Sequence, residues 1–351
     1  MKKYYNFRLL GDRVSFLVNR KALITFLLLA AAAAGVFIIS TGTGEMKISP
    51  LKVVQVFLGG GSDMDRLVIQ SFRLPRIIVA LMVGMALAAA GGILQGIIRN
   101  PLASPDIIGI TGGASVAVVA FLAFFSDKNN ALTVSINWMP LAAFAGAAIL
   151  AFLVYFLAYK NGVSPVRLVL IGIGLASLMK ALTTLMMVFG PIYQASQANI
   201  WITGTVYGSN WDNVAILVPW TLVFLVLAFV LARNVNIQEL GDDIALGVGS
   251  TVQKYRFLLL MVSTALIGGA VAFGGGIGFV GLMAPHMARR LVGSAFGALL
   301  PASALIGGIL VMAADLIGRT LFSPLEIPAG VFTASIGAPY FIYLLFKTRN
   351  A

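Results

Sequence analysis

The sequence predicts an all-α, polytopic membrane protein with about ten transmembrane helices. Three observations predict it. Of the 351 residues 60% are hydrophobic, only 10% are charged, and the apolar residues gather in long runs. A soluble domain is about one-quarter charged, so this chain cannot clothe a water-facing surface. A run of about 20 apolar residues, rising 1.5 Å each as a helix, crosses the hydrocarbon core.

The runs fall at roughly 22–40, 77–98, 107–125, 138–158, 168–190, 214–232, 257–275, 277–291, 299–317 and 328–346. The first starts late and is followed by no small-residue cleavage site, so it reads as a retained helix. The eighth is the shortest. Gly274, Gly275 and Gly276 before it mark either a break between two helices or a kink in one. Small residues within the runs, such as Gly84, Gly91, Gly92, Gly268, Gly269, Gly307 and Gly308, read as close helix packing.

Orientation follows from the basic residues, which concentrate on the cytoplasmic side of membrane proteins. With the N-terminus inside, ten alternating spans place Lys2, Lys3, Arg8, Arg13, Arg20, Lys21, Arg99, Lys160, Arg167, Arg233, Lys254, Arg256, Arg289, Arg290, Lys347 and Arg349 on the cytoplasmic side. Lys47, Lys52, Arg66, Arg73, Arg76, Lys128 and Arg319 fall outside, and Lys180 falls within a span. The resulting organisation is a cytoplasmic tail at 1–21, one transmembrane domain at 22–346 and a cytoplasmic C-terminus at 347–351, both termini being inside. The outer loop Pro191–Asn213 lacks Lys and Arg and carries Trp201, Tyr207 and Trp211, residues favoured at the membrane interface. The inner loop at 234–256 is polar and long enough for one or two short helices. It is either a docking surface or an ordinary solvated loop.

Composition removes several function classes. Without cysteine and with His286 as the only histidine, the chain has no disulfide framework and is a poor host for a transition metal or haem. Its net charge of +12 sits at span ends, where topology rather than nucleic acid explains it. Gly274-Gly275-Gly276-Ile277-Gly278 lacks the Lys and Ser/Thr of a P-loop. Energy for uphill transport must therefore come from a partner or an ion gradient.

Three groups of charged residues invite a functional reading. Arg73-Leu74-Pro75-Arg76 precedes the second span on the outer side, where two guanidiniums can face outward to bind carboxylates or can snorkel at the interface. Asp315 and Arg319, at i and i+4, share a helix face near the outer surface. Lys180, about midway along the fifth span, either lines a watery pathway or is bonded to neighbouring carbonyls.

Several motifs in order then resemble the FecCD-type permeases, subunits of iron–siderophore, haem and cobalamin ABC importers. They are Arg73-Leu74-Pro75-Arg76, Gly91-Gly92-Ile93-Leu94-Gln95-Gly96, Arg99-Asn100-Pro101-Leu102-Ala103-Ser104-Pro105 and Ile108-Gly109-Ile110-Thr111-Gly112-Gly113-Ala114. Further along are Gly278 to His286, Ala314 to Arg319, Glu326 to Gly330 and Ile336 to Pro339. The resemblance covers nearly all of the chain beyond its N-terminal tail.

It implies a type II ABC importer in a bacterial cytoplasmic membrane. Two permease subunits, identical or paralogous, would work with two ATPase subunits and an extracytoplasmic siderophore-binding protein. This chain would bind no cofactor itself, ATP-Mg being held by the ATPases. Arg73, Arg76 and Arg319 match positions that meet the binding protein. The region of Gly241, Asp242, Asp243, Ala245, Leu246 and Gly247 looks like the ATPase-coupling loop. Asn100 and Leu102 resemble inner-gate residues, and the fifth span resembles the pathway helix, which brings Lys180 to the pathway. The expected cargo is an iron(III)–siderophore complex, with the hydroxamate type as one reading of it and cobalamin or haem as alternatives. A secondary transporter driven by an ion gradient would need central acids, whereas Asp106 and Asp315 read as lying near span ends. A membrane enzyme would need convergent catalytic groups.

Overall fold

The computed structural model describes residues 4–9, 14–44, 46–126, 132–160, 162–189 and 192–349. Lys2, Lys3, Arg13, Lys128 and Pro191, named above, lie outside them. Among the described residues ten helices exceed 12 residues: α1 (Arg20–Gly42), α2 (Leu74–Ile98), α3 (Ile110–Phe124), α4 (Met139–Ala158), α5 (Pro165–Phe189), α6 (Trp211–Val230), α7 (Val252–Gly274), α8 (Val280–Val292), α9 (Phe296–Thr320) and α10 (Ala329–Arg349). In lipid every backbone donor and acceptor must be satisfied inside the segment, which helices do. A two-stranded hairpin in the N-terminal tail, β1 (Tyr4–Leu9) antiparallel to β2 (Val14–Asn19), precedes the bundle. Asn19 ends it and caps α1 by accepting the Lys21 N–H at 2.9 Å.

The bundle is built around α2, which packs against α9, α7, α8 and α6. Buried residues make up 83% of the apolar stretch containing α2 but only 17% of that in α5, so α2 is the core and α5 a flank. Glycine permits the closest crossing. A Cβ on Gly84 would land on the Gly307 carbonyl of α9, so at this point the two backbones touch.

Seven of the ten helices, α1, α2, α4, α5, α6, α7 and α9, are long and apolar enough to cross a membrane alone. The eighth run crosses only part way. The glycine stretch is a break: Gly275 adopts φ +64° and Phe279 φ +66°. A Cβ on Gly281, near the start of α8, would lie 2.9 Å from the Leu87 carbonyl at the middle of α2. Thus α8 starts level with the middle of α2 and runs towards the end of the bundle where Arg289 meets Glu239.

The space above this break is filled from the outer loop, which differs from the sequence expectation. Residues Ile192–Thr203 form a helix, with Ala198 and Trp201 buried. The Trp201 carbonyl accepts the Gly276 N–H at 3.1 Å, and the Gly204 carbonyl accepts the Gly330 N–H at 3.0 Å. Trp201 is therefore a packing residue beside the broken helix rather than an interfacial one. Its carbonyl, at the end of the Ile192–Thr203 helix, satisfies one donor of the unwound backbone at 275–279, the Gly276 N–H.

The third run is broken as well, into a turn at Pro105–Ile108 and α3, with Gly109 at φ +83° between them. Pro105 packs against Gly281, which itself packs against Leu87, so Asp106 lies near the level of the middle of α2 rather than near a span end. Its carboxylate accepts from the Thr111 hydroxyl at 3.1 Å and from the Phe279 backbone N–H. It thereby ties the starts of α3 and α8 together.

Candidate functional site

Charged side chains collect at both ends of α2. At the outer end, a seven-residue π-helical turn, Leu67–Arg73, leads into α2, whose first turn contains Pro75. The helix runs on without a gap, the Leu74 N–H donating to the Ile69 carbonyl, and Pro75 has no N–H with which to continue that ladder. Arg76 sits one residue later and is held by two acids. Its Nη2 lies 2.8 Å from Asp315 Oδ1 of α9, and its Nη1 lies 2.9 Å from Glu326 Oε2. The guanidinium also lies over the Tyr207 ring, 5.5 Å from its centroid.

Arg73 and Arg319 do not face outward as the sequence suggested. Arg73 is 7% exposed and Arg319 9% exposed. Arg73 donates to the Thr41 carbonyl at 2.8 Å and to the Met46 carbonyl at 2.5 Å. Arg319 donates to the Ser40 carbonyl and lies 3.6 Å from Asp315. Both arginines consume the carbonyls at the end of α1, where a helix leaves its last C=O groups without partners. Asp315 and Arg319 do form the i, i+4 pair, but the closer partner of Asp315 is Arg76. Glu326, missed by sequence reasoning, is the exposed acid of this cluster.

At the inner end α2 stops at Arg99, which takes the left-handed conformation with φ +58°. Asn100 then turns the chain: its side-chain oxygen accepts the Leu102 N–H at 2.9 Å and its carbonyl accepts the Ala103 N–H at 3.1 Å. Asn100 is exposed and Leu102 half-buried. The polar loop forms two short helices, Ala232–Glu239 and Asp242–Gly247. Asp243, Ile244, Leu246 and Gly247 are exposed, whereas Ala245 is buried and faces the permease. Asp242 Oδ1 is shared by Arg99 Nη2 at 3.1 Å and Arg256 Nη2 at 2.8 Å. Glu239 Oε1 lies 3.3 Å from Arg289 Nη1 of α8, and Asn236 Oδ1 accepts the Phe296 N–H at 2.8 Å. Sequence reading singled out neither Glu239 nor these arginines as partners, because their counterparts lie far away along the chain.

Lys180 is exposed on α5. It lines an open cavity of about 580 Å³ together with Ser177, Ala181, Thr184, Leu185, Val188 and Phe189. The Ser177 and Thr184 hydroxyls donate back to the Ile173 and Lys180 carbonyls, both at 3.0 Å. Among the described residues no acid or carbonyl holds the Lys180 ammonium. His286 packs edge-on to Tyr340 with ring centroids 6.0 Å apart.

A bundle of broken and unbroken spanning helices, with charge clusters at both mouths and a polar stripe on a flanking helix, defines a transport permease. The FecCD transport family matches residues 27–347, and the chain belongs to that family. It is 62% identical over 333 residues to the "Probable siderophore transport system permease protein YfhA" of Bacillus subtilis (strain 168), covering 95% of this chain and 97% of that one. It is 46% identical to the achromobactin transport system permease protein CbrC of Dickeya dadantii (strain 3937), over 95% and 93% of the two chains. It is 45% identical to the iron(3+)-hydroxamate import system permease protein FhuG of Bacillus subtilis (strain 168), over 93% and 96%. Among solved structures, it superposes with a TM-score of 0.82 on a protein described as a metal-chelate type ABC transporter in an inward-facing conformation. That match has 30% identity and covers 93% of this chain and 99% of the other. The chain is thus a multi-pass membrane permease of the ABC importer class.

Proposed function

We propose that this permease subunit carries intact iron(III)–siderophore complexes inward across the cytoplasmic membrane. The observation that carries the reading is the near-complete alignment with permeases whose names specify siderophore, achromobactin and iron–hydroxamate transport. A siderophore supplies the iron ligands itself, so the pathway needs surface and charge rather than metal-binding side chains. ATP-Mg would be bound and hydrolysed on two separate ATPase subunits. A second permease subunit would close the pathway, an extracytoplasmic binding protein would deliver the chelate, and both termini would be cytoplasmic.

The residue assignments fit this scheme with one adjustment. Docking of the binding protein would act through Arg76, with Arg73 and Arg319 behind it. The three guanidiniums exceed the two carboxylates by one charge, and a carboxylate from the partner would compete with Glu326. Asn100 and Leu102 would form the inner gate. Asp243, Ile244, Leu246 and Gly247 would meet the ATPase, Gly241 and Asp242 would hinge that helix, and Ala245 would seat it. Lys180 would line the pathway, since a mid-span ammonium is tolerated in water or protein rather than lipid.

The test is uptake of radiolabelled iron in a strain lacking this chain, across a panel of carboxylate, hydroxamate and catecholate chelates with cobalamin and haem added. Restoration of uptake for at least one ferric siderophore, abolished by inactivating the partner ATPase, is the expected result. Restoration of cobalamin or haem uptake alone would overturn the cargo assignment.

A further inference from the structure

The pairing of Asp242 joins three parts of the molecule at one oxygen atom. Arg256 Nη2 approaches that oxygen at 2.8 Å, and Arg99 Nη2 at 3.1 Å. The two arginines are not equivalent. Arg256 is 1% exposed and its Nη1 donates to the Val163 carbonyl at 2.5 Å, so it is fixed in the frame between α7 and the α4–α5 connection. Arg99 has a side chain 32% exposed and immediately precedes the turn of Asn100 and Leu102. The helix bearing Asp242 lies between glycines in conformations that other residues rarely adopt, Gly241 at φ +109° and Gly249 at φ +78°. It is seated by Ala245, while Ile244 and Leu246 face outward, 54% and 61% exposed.

A force on that exposed face can tilt the helix about its two glycine joints. The carboxylate then moves against one fixed guanidinium and one movable guanidinium. We infer that Asp242 is the joint that transmits displacement of this helix to the inner turn, with Arg99 as a positioning residue on the gate side and Arg256 as the anchor. The inference rests on the reading that Asp242–Gly247 meets the ATPase and that Leu102 belongs to the gate. It adds the physical link between them: the pull arrives at Arg99, one residue from Asn100, rather than diffusely through the bundle. The charged pair is suited to this because it keeps its attraction over small displacements, whereas a packed apolar contact is lost once its surfaces part.

The absence of cysteine makes the test direct on this chain. The complete importer is assembled in proteoliposomes with its second permease, ATPases and binding protein, and carries Leu102→Cys. The rate at which a membrane-impermeant maleimide labels position 102 from the ATPase side is measured with and without ATP. Two further importers add Arg99→Asn, chosen because asparagine tolerates the left-handed backbone, or Asp242→Asn, which leaves an oxygen for Arg256. The expected result is an ATP-dependent change of labelling with Leu102→Cys alone. Either added substitution should cut that change about tenfold, while ATP hydrolysis by the Arg99→Asn importer, whose altered residue lies off the ATPase-facing helix, stays within about twofold. If either assembled variant keeps the full ATP-dependent change, the joint is refuted while the gate stands. If Leu102→Cys alone shows no change, the gate reading fails and takes the inference with it.

Discussion

Replacing Asp315 by alanine tests how the outer end is held together. The carboxylate is 4% exposed and lies 2.8 Å from Arg76 and 3.6 Å from Arg319. Its removal leaves two guanidiniums facing one another in a site largely closed to water. Breaking a buried ion pair by deleting one partner costs about 3–5 kcal/mol, most of it from the charge left behind. Glu326 remains 2.9 Å from Arg76, but its side chain is 37% exposed and screened by solvent. Partial compensation puts the expected loss near the lower bound, at roughly 3 kcal/mol. For a chain of this size that lowers the apparent Tm by about 6 °C, taking roughly 2 °C per kcal/mol. The assay is thermal unfolding of the detergent-solubilised protein, with Asp315→Ala compared with Asp315→Asn and with the double variant Arg76→Met/Asp315→Leu. The double variant should lose less than Asp315→Ala, because it leaves one buried guanidinium, that of Arg319, without its carboxylate rather than two. The loss should also change little with added salt, since screening acts weakly on buried pairs. A Tm within about 1 °C of the unmodified protein for Asp315→Ala would refute the reasoning.

Other perturbations separate the remaining roles. Glu326→Gln frees Arg76 from an exposed competitor, a contact worth about 0.2–1 kcal/mol, so the binding protein should associate roughly 1.5- to 5-fold more tightly in a nanodisc titration. Weaker association would place Glu326 in attraction rather than competition. Gly84→Leu drives a side chain into the Gly307 backbone. Overpacking of about 1–3 kcal/mol or more should reduce the monodisperse protein recovered by fluorescence-detected size exclusion, while Gly174→Leu, where nothing lies within 4 Å of the added Cβ, should not. Lys180→Ala should depress uptake most for chelates carrying net negative charge, and wild-type uptake across the whole panel would remove Lys180 from the pathway.

The spanning helices were legible because lipid demands long apolar runs, and seven of the ten helices meet that demand by length and composition. The breaks were less legible. Gly274 to Gly276 signalled an interruption, but nothing local said that α8 would start level with Leu87 or that Ile192–Thr203 would fold in above it. Those depths are fixed by helices distant in sequence. The outer arginines show the same limit from another side. Their spacing and chemistry identified a charged cluster. Whether each guanidinium faced water or the carbonyls at the end of α1 depended on Ser40, Thr41 and Met46, which carry no charge signal. At the inner end, Asp242 was picked out by the polar character of its loop, whereas Arg256 was read only as a topology marker and Arg99 as that and as the first residue of a family motif. Their pairing spans 143 and 14 residues respectively.

These observations converge on α2. It carries Arg76 in its first turn and ends at Arg99, its C-cap, and the rise of 1.5 Å per residue from position 76 to 99 separates the two clusters by about 35 Å. Between them it is packed too closely to bend easily, its glycines pressed against the Gly307 and Gly281 backbones. A stiff helix with an ion-pair network at each end can pivot against its neighbours but cannot shorten. Rearrangement at either mouth must therefore be absorbed where the neighbouring backbone is already broken: at Gly109 before α3, and at Gly275 and Phe279 before α8. Asp106 bridges these two breaks through Thr111 and Phe279.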